Sequence, residues 1–372
     1  MAQTAPTEGT APAAAPLLPG DPVPWFRVPA LSGSPSYVFD TAAGRPLLLL
    51  FFGLASQRQS ADALALVGAR RALFDDEHAC FFGITVDPSD AAEGRIAQQL
   101  PGIRFFLDYD RAVSRQYGAD LDGGRYRPHW VLIDRTLRVA GTFPIDDGAA
   151  ALAALEAAAL APPVPAMAPV LIVPNIFEPE ICRHLIGLYR KNGGEESGFM
   201  REVGGKTVML TDPNHKKRRD YLIEDAKLQG QLALRVRRRL NPMIARAFQF
   251  EATRMERYIV ACYDAETGGH FRAHRDNTTK GTAHRRFAVS INLNAEDYDG
   301  GDLRFPEYGP ATYRPPTGGA VVFSCSLLHE ATPVTRGTRY AFLPFLYDEA
   351  AAELRQANNA FLADGLGSYK KT

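Results

Sequence analysis

Residues 255–276 read MERYIVACYDAETGGHFRAHRD, and they contain an apolar strand, a glycine turn and a second strand that ends in a polar triplet. Further short apolar runs, separated by Gly, Pro and Asp turns, continue this pattern at Phe287–Leu293, Asp302–Phe305, Ala320–Cys325 and Arg339–Leu346. Upstream, the spacing predicts helices over Glu180–Tyr189 and Lys227–Phe248. Helices followed by many short strands predict a β-sandwich or barrel with helical support, as in a jelly roll (double-stranded β-helix).

The triplet His274-Arg275-Asp276 predicts a metal site, although an H-x-D triplet alone is a weak signal. Residues i and i+2 of a strand project from one face, so His274 and Asp276 can reach a common point. His329, at the end of an apolar strand, can close a triangle with them. Two imidazoles and one carboxylate leave three octahedral positions open, which suits non-haem Fe(II) with a bidentate 2-oxo acid and dioxygen.

Arg339 is expected to share the inward face of its strand with Ala341 and Leu343. A buried guanidinium needs an anion, and a carboxylate is its natural bidentate partner. Arg336 is the rival, but its neighbour Gly337 indicates the turn before the strand.

Residues 170–348 resemble the Fe(II)/2-oxoglutarate dioxygenases of the prolyl-4-hydroxylase-like branch. The resemblance rests on Tyr263, Gly268 to Phe271, His274 to Asn277, Phe287 to Asn294, Tyr298 to Leu303, Gly319 to Phe323 and His329 to Arg339. It implies Fe(2+) bound by His274, Asp276 and His329, and the distal carboxylate of 2-oxoglutarate bound by Arg339. Tyr263 would line the co-substrate pocket, and Asn292 takes the place of a tyrosine that contacts the carboxylate in some relatives.

The resemblance also implies the reaction. Dioxygen and 2-oxoglutarate would be consumed, succinate and CO2 released, and a C–H bond hydroxylated in a protein, peptide or amino-acid-like substrate. Ascorbate is considered as a reductant, and no catalytic residue beyond the metal site is expected. The alternative is a non-catalytic binding or sensing protein that uses its N-terminal domain for interaction.

The N-terminal part alternates strands and helices, which predicts an α/β sandwich. Residues 17–160 resemble a thioredoxin-fold domain of the peroxiredoxin type, through Gly20 to Phe26, Arg45 to Phe52, Phe82 to Asp87 and Arg127 to Asp134. The turn and helix after its first central strand, Gly53 to Ser60, contain no cysteine, and a peroxiredoxin needs an activated thiolate there. Cys80 lies in a strand pattern and is expected to be buried and inert. We therefore expect no peroxidase activity, and a role in partner binding, substrate presentation or homo-oligomer formation.

Composition bounds the rest of the chain. The 372 residues predict an α+β multidomain protein with a disordered tail over 1–16, domains at 17–160 and 168–372, and a Pro-rich linker at 161–167. The four cysteines are widely spaced, which favours a reducing, cytoplasmic setting over a disulfide framework. No apolar segment is long enough to cross a membrane.

Two basic segments, 215–219 and 235–239, raise the question of nucleic acid. Lys plus Arg and Asp plus Glu both total 42, so no global field attracts a polyanion. Phe345 stands where nucleic-acid demethylases have a second arginine, and few aromatic residues interleave with the basic runs. The segments are therefore expected to be a solvated helix face and an exposed loop, with His215 and His284 as ordinary exposed residues, and nucleic acid is not the expected partner.

Overall fold

The computed structural model describes residues 16–31, 33–121, 124–162 and 166–370. The chain divides between residues 163 and 164 into two compact units. Residues 1–15 of the expected tail and 163–165 of the expected linker lie outside the described residues, so the tail, the linker and the domain limits stay predictions. None of the helices in the described residues is long and apolar enough to span a bilayer.

The N-terminal unit contains nine strands and four α-helices in its described residues: β1 Arg27–Val28, β2 Tyr37–Val38, β3 Leu47–Gly53, α1 Arg58–Ala69, β4 Cys80–Thr85, α2 Pro88–Ala92, β5 Ile103–Leu107, α3 Ala112–Gln116, β6 Asp120–Leu121, β7 Arg125–Tyr126, β8 His129–Ile133, β9 Val139–Pro144 and α4 Gly148–Leu160.

Its central sheet has the order β5-β4-β3-β8-β9, with β3, β4 and β5 parallel and β8 and β9 antiparallel. Strand β3 is apolar throughout because both of its faces are covered. Leu48, Leu50 and Phe52 pack with residues of α1 and α4 on one face. The stacked rings of Phe82 and Phe106 lie on the other face of the sheet. The expected thioredoxin-like α/β sandwich is confirmed.

The C-terminal unit contains four α-helices and eighteen strands in its described residues: β10 Leu171–Val173, α5 Pro179–Asn192, β11 Glu195–Glu196, β12 Phe199–Val203, β13 Lys206–Leu210, β14 Lys216–Lys217, β15 Arg219–Leu222, α6 Ala226–Arg235, α7 Asn241–Phe248, β16 Arg254–Glu256, β17 Ile259–Asp264, β18 His270–His274, β19 Phe287–Asn292, β20 Asp299–Gly300, β21 Leu303–Arg304, β22 Thr312–Tyr313, β23 Ala320–Ser324, β24 His329–Ala331, β25 Val334–Arg336, β26 Thr338–Phe342, β27 Phe345–Tyr347 and α8 Glu349–Ala357.

Two sheets form the expected jelly roll, which is confirmed. The larger has the path β10-β23-β19-β26-β17-β15-β11, and the smaller has the order β14-β18-β24-β21-β22. Alternate residues of the larger sheet, such as Val289 and Ile291, pack with Leu232 and Ile244 of the helices α6 and α7. The residues between them therefore face the interior of the roll.

Two predicted elements are interrupted by proline. The helix expected over 227–248 is α6, a π-helical segment at Val236–Leu240, and α7. Pro242 in the first turn of α7 cannot donate to the preceding turn, and a π-bulge relieves this conflict. Likewise, the strand expected over 339–346 is divided into β26 and β27 by Pro344.

Candidate metal centre and anion pocket

The three expected metal ligands lie together on the smaller sheet. His274 ends β18 and is the direct cross-strand partner of His329, the first residue of β24. Asp276 follows two residues after His274, and its backbone N–H donates to the carbonyl of Cys325. One donor atom from each of the three residues lies within 4.8 Å of the others. The register of β18 and β24 therefore assembles the triad that the sequence predicts.

Backbone carbonyls orient both imidazoles toward the carboxylate. Nδ1 of His274 lies 2.8 Å from the carbonyl of Arg272, and Nδ1 of His329 lies 3.0 Å from the carbonyl of Leu327. A proton on each Nδ1 leaves each Nε2 with a free lone pair. These Nε2 atoms lie 3.5 and 3.3 Å from the two carboxylate oxygens of Asp276.

The donor set fits a divalent metal such as Fe(II). With metal–ligand distances of about 2.1 Å, neighbouring octahedral ligands lie about 3.0 Å apart. The nitrogen–oxygen separations in the triad are close to that value. A metal cation between the donors would supply the positive charge that only a protonated imidazole could otherwise bring to Asp276. Burial, followed by His329, lowers the pKa of His274 to about 4, which keeps this ligand neutral. Burial alone would raise the pKa of Asp276, but the two histidines hold it well below its ordinary value.

Arg339 of β26 opens on the same pocket as the triad. Its side chain is only 2% exposed, and among the described residues no carboxylate forms an ion pair with it. Nη2 donates to Oγ of Ser290 at 2.8 Å, while Nε has no hydrogen-bond partner within the described part of the chain. A buried guanidinium in this state is complementary to an anion.

The rival arginine is elsewhere. Arg336 lies at the surface, where its Nε pairs with the carboxylate of Asp299 at 2.6 Å. The structure thus brings Arg339, and not Arg336, to the metal ligands.

Of the two residues expected in the co-substrate pocket, Tyr263 lines it and Asn292 does not. Tyr263 of β17 lines the pocket, and its ring centroid lies 5.2 Å from the guanidinium carbon of Arg339. Asn292 of β19 does not line the pocket; its side-chain amide is buried and donates to the carbonyl of Pro315 at 2.8 Å. Ser290, two residues earlier on the same face of the strand, occupies the position beside the guanidinium of Arg339. Asn292 is therefore not brought together with the other expected site residues.

The basic segment 215–219 is not a solvated loop, so this expectation is wrong. Lys216 and Arg218 are 4% and 6% exposed, because they alternate inward along β14 and β15 while Lys217 and Arg219 face outward. Arg218 lines the pocket together with Arg257, a residue that the sequence did not single out. The sequence does carry a signal for this burial. Lys216, Arg218 and Asp220 alternate along the chain as residues on one face of a strand do, which indicates that they share an inward face.

The two histidines expected to be exposed are also buried or half-buried. His284 is 1% exposed, and its Nε2 lies 3.2 Å from a carboxylate oxygen of Glu256. The ring of His215 lies 4.6 Å from that of Phe199 and 6.5 Å from that of His274, between ring centroids. Burial lowers the pKa of His215 to about 4, so this ring is neutral at pH 7. Neither residue belongs to the set of metal donors.

In the N-terminal unit, Cys80 is a buried free thiol at the start of β4. Its Sγ lies 3.1 Å from the carboxylate of Asp76, and burial raises its pKa to about 12. The site where a peroxiredoxin places its reactive cysteine, between β3 and α1, holds Ala55, Ser56 and Gln57.

Comparisons with known proteins agree with this site. Residues 258–347 match the family model of the 2OG-Fe(II) oxygenase superfamily. A PKHD-type hydroxylase from a Synechococcus strain is 34% identical over 89 residues, which cover 22% of this chain and 39% of the relative. The chain thus spans about two fifths of the length of this curated relative. The predicted 2-oxoglutarate/Fe(II) oxygenase segment is confirmed, and PKHD-type hydroxylases are among its relatives.

Solved structures resemble both units. A prolyl hydroxylase from Trichoplax adhaerens, in complex with a hypoxia inducible factor oxygen degradation domain peptide fragment, is 18% identical with a TM-score of 0.37 and covers 50% of this chain and 86% of its own. The peroxidoxin BcpB from Mycobacterium tuberculosis is 23% identical with a TM-score of 0.31 and covers 38% of this chain and 97% of its own.

Proposed function

We propose that this protein is an Fe(II)- and 2-oxoglutarate-dependent dioxygenase that hydroxylates a C–H bond of a protein, peptide or amino-acid-like substrate and releases succinate and CO2. One observation carries the proposal: the three metal donors and the buried, carboxylate-free guanidinium of Arg339 open on a single pocket. Part of that pocket is open to solvent, which gives a small ligand a route to the metal donors.

The residues of the chain divide the work between holding the metal and holding the co-substrate. His274, Asp276 and His329 would bind Fe(II) on one face and leave the opposite face open to ligands. When bound, the metal with 2-oxoglutarate supplies the oxidising chemistry, in which dioxygen is consumed. Arg339 would bind the carboxylate of 2-oxoglutarate that does not chelate the metal, with Ser290 fixing the guanidinium.

Aromatic walls of the pocket hold the two imidazoles. Phe271 stacks on His274 with ring centroids 3.5 Å apart, and the ring centroid of Phe323 lies 4.5 Å from that of His329. These aromatic rings restrict the orientation of both imidazoles and lower the local dielectric, which strengthens the charge interactions inside. No general base from the chain is required, since the metal site itself carries the reaction.

The first experiment needs no substrate. Fe(II) and then 2-oxoglutarate are added anaerobically to the apo protein, with ascorbate to keep the iron reduced, and the visible charge-transfer band of the chelate is recorded. We expect the band in the wild type, its loss in His274→Ala, and a higher 2-oxoglutarate requirement in Arg339→Gln. A folded wild type without the band would contradict the proposal and favour the alternative of a non-catalytic binding protein.

A further inference from the structure

Three further cations lie beside the metal site: Lys216, Arg218 and Arg257. Arg218 and Arg257 line the same pocket as the triad and Arg339. Nη2 of Arg218 pairs with a carboxylate oxygen of Asp220 at 2.6 Å, and Nη2 of Arg257 lies 3.6 Å from the same oxygen. In the described part of the chain, Asp220 is the single carboxylate that pairs with this cluster.

The local hydrogen bonds leave part of this charge uncompensated. Lys216 donates to Oγ of Ser197 at 2.7 Å and to the carbonyl of Gly198 at 2.6 Å, both of which are neutral groups. Arg218 also donates to Ser197 and, at 3.3 Å, to the hydroxyl of Tyr263. Its Nε is buried and has no hydrogen-bond partner among the described residues. Arg218 and Arg257 therefore share the carboxylate of Asp220, with that of Asp276 as a further negative charge near Arg257, and burial lowers the pKa of Lys216. Two guanidinium groups held this close in a low-dielectric site are stabilised by an additional anion.

Arg257 is held in an uncommon conformation at this point. It connects β16 to β17 with φ of +67°, in the left-handed region that residues other than glycine rarely occupy. Backbone strain of this kind is often found where a side chain serves a ligand. Burial, followed by repulsion from Arg218, lowers the pKa of Arg257 to about 10. An anion beside the two guanidinium groups would relieve that repulsion.

We infer that Arg218 and Arg257 form a second anion-binding position in the pocket, and that it takes a carboxylate of the molecule that is hydroxylated. The inference rests on the proposed function. In that function the two carboxylates of 2-oxoglutarate are already assigned, one to the metal and one to Arg339. The further cationic pair, which shares only Asp220, is therefore complementary to a third carboxylate, and the other substrate would bring it.

Position in a pocket distinguishes this site from a surface for polyanions. Arg218 is buried, the side chain of Arg257 is 29% exposed, and both line a pocket whose walls include Phe271 and Phe345. The guanidinium carbon of Arg257 lies 5.1 Å from the ring centroid of Phe345. A nucleic acid backbone needs an exposed basic track instead. The carboxylate can belong to a free amino acid or to a peptide, and the two sources share the same chemistry.

The test uses trifluoroacetate as the probe, with the full chain loaded with Mn(II) and saturating 2-oxoglutarate. Because 2-oxoglutarate occupies Arg339, a trifluoroacetate ion in the second position would lie near the paramagnetic metal, and its fluorine NMR signal would broaden. We expect the fluorine signal to broaden with the wild type. The paramagnetic broadening should be about tenfold or more smaller with Arg257→Gln and partly restored with Arg257→Lys. Arg237→Gln, at an exposed arginine of the π-helical segment, is the matched control and should broaden like the wild type.

Each outcome decides the question. Equal broadening in Arg257→Gln and wild type, or no broadening in wild type beyond a Zn(II)-loaded sample, would overturn the inference. Failure of the proposed function shows separately, as absence of the anaerobic Fe(II)·2-oxoglutarate band, and would overturn this inference with it. The band must persist in Arg257→Gln, which also shows that the variant folds.

Competition then identifies the source of the carboxylate. Displacement of the probe by free L-amino acids, but not by their N-acetyl derivatives, indicates an amino-acid substrate. Displacement by the N-acetyl derivatives indicates a peptide carboxylate, and the corresponding carboxamides should fail in both cases. If no carboxylate of this panel displaces the probe, the position is not a substrate site and the inference is wrong.

Discussion

Nη2 of Arg339 donates a 2.8 Å hydrogen bond to Oγ of Ser290, between the neighbouring strands β26 and β19. Both residues are buried, and the serine is the neutral partner of a guanidinium that has no carboxylate of its own among the described residues. The contact fixes the direction of the charge without cancelling it. Two kinds of substitution should therefore have different effects. Replacing Arg339 removes the charge, whereas replacing Ser290 keeps the charge but no longer fixes its position.

Replacing the charge should abolish tight co-substrate binding. We expect Arg339→Gln to raise the KM for 2-oxoglutarate by about 30-fold or more, since truncating one partner of a buried charge pair costs about 2–5 kcal/mol. Arg336→Gln, at an exposed arginine three residues earlier, should leave KM unchanged. The measurement is succinate release against 2-oxoglutarate concentration, and equal KM values in both variants would contradict the role of Arg339.

Freeing the charge should have a smaller effect. We expect Ser290→Ala to raise the KM for 2-oxoglutarate about 3- to 10-fold, because a single hydrogen bond contributes about 1 kcal/mol. Ser290→Thr, which keeps the hydroxyl, is expected to recover most of the affinity. An effect on kcat alone, with KM unchanged, would show that Ser290 does not position Arg339.

The triad was predictable because its signals are local. His274 and Asp276 are separated by one residue, and His329 follows an apolar strand, although it begins the next strand, β24, and does not end the apolar one as expected. Ser290 and Arg257 carry no such local signal, and the alternating pattern that includes Arg218 was misinterpreted. Strands β14 and β15 are short and polar, so their inward-facing charges look like a solvated loop, and Arg257 reaches the pocket through a left-handed residue that no pattern marks. Asn292 was assigned to the correct face of β19, but the residue beside Arg339 is Ser290, two positions earlier on the same face.

Metal affinity should depend little on pH in the neutral range. Only a neutral imidazole binds metal, and the pKa of His274 is lowered from 6.5 to about 4. Because the pKa is lowered, protons compete with the metal for His274 only at acidic pH. We therefore expect the affinity for Co(II), a spectroscopic substitute for Fe(II), to change little between pH 8 and 6 and to fall as the pH approaches 4. A titration by visible absorption checks this. A loss of binding centred near pH 6.5 would contradict the lowered pKa of His274.

A buried carboxylate outside the metal triad should control acid stability. Glu256 accepts from Arg285 and Arg355, each at 2.7 Å, at a site where it is 8% exposed. Burial alone would raise the pKa of Glu256, but Arg285, followed by His284, lowers it below its ordinary 4.5. A lowered folded-state pKa gives stability that is fully present above about pH 4.5 and is lost as pH falls through the folded-state value.

Removing that charge leaves the half-buried guanidinium groups of Arg285 and Arg355 without their shared carboxylate. We expect Glu256→Gln to lower the free energy of unfolding by about 3–5 kcal/mol at pH 7, with a smaller difference from wild type in acid. Asp299→Asn, which breaks an exposed pair with Arg336, should cost less than about 1 kcal/mol. Unfolding by a chemical denaturant is followed by circular dichroism. The transition of the C-terminal unit is identified as the one that shifts when metal and 2-oxoglutarate are added. Equal losses in the two variants would contradict the prediction.

The N-terminal unit should not reduce peroxides. Peroxide reduction by a peroxiredoxin requires a thiolate, and burial raises the pKa of Cys80 to about 12, so its thiol stays protonated at neutral pH. The segment between β3 and α1 offers no other cysteine. With a chelator present to remove iron, the apo protein and a dithiol should consume hydrogen peroxide no faster than the dithiol alone, and Cys80→Ala should behave identically. Cys182→Ala is the matched control, because Cys182 is also a buried thiol with a pKa raised by burial, to about 11. Sustained turnover that Cys80→Ala abolishes and Cys182→Ala retains would contradict the prediction and assign this unit a catalytic thiol.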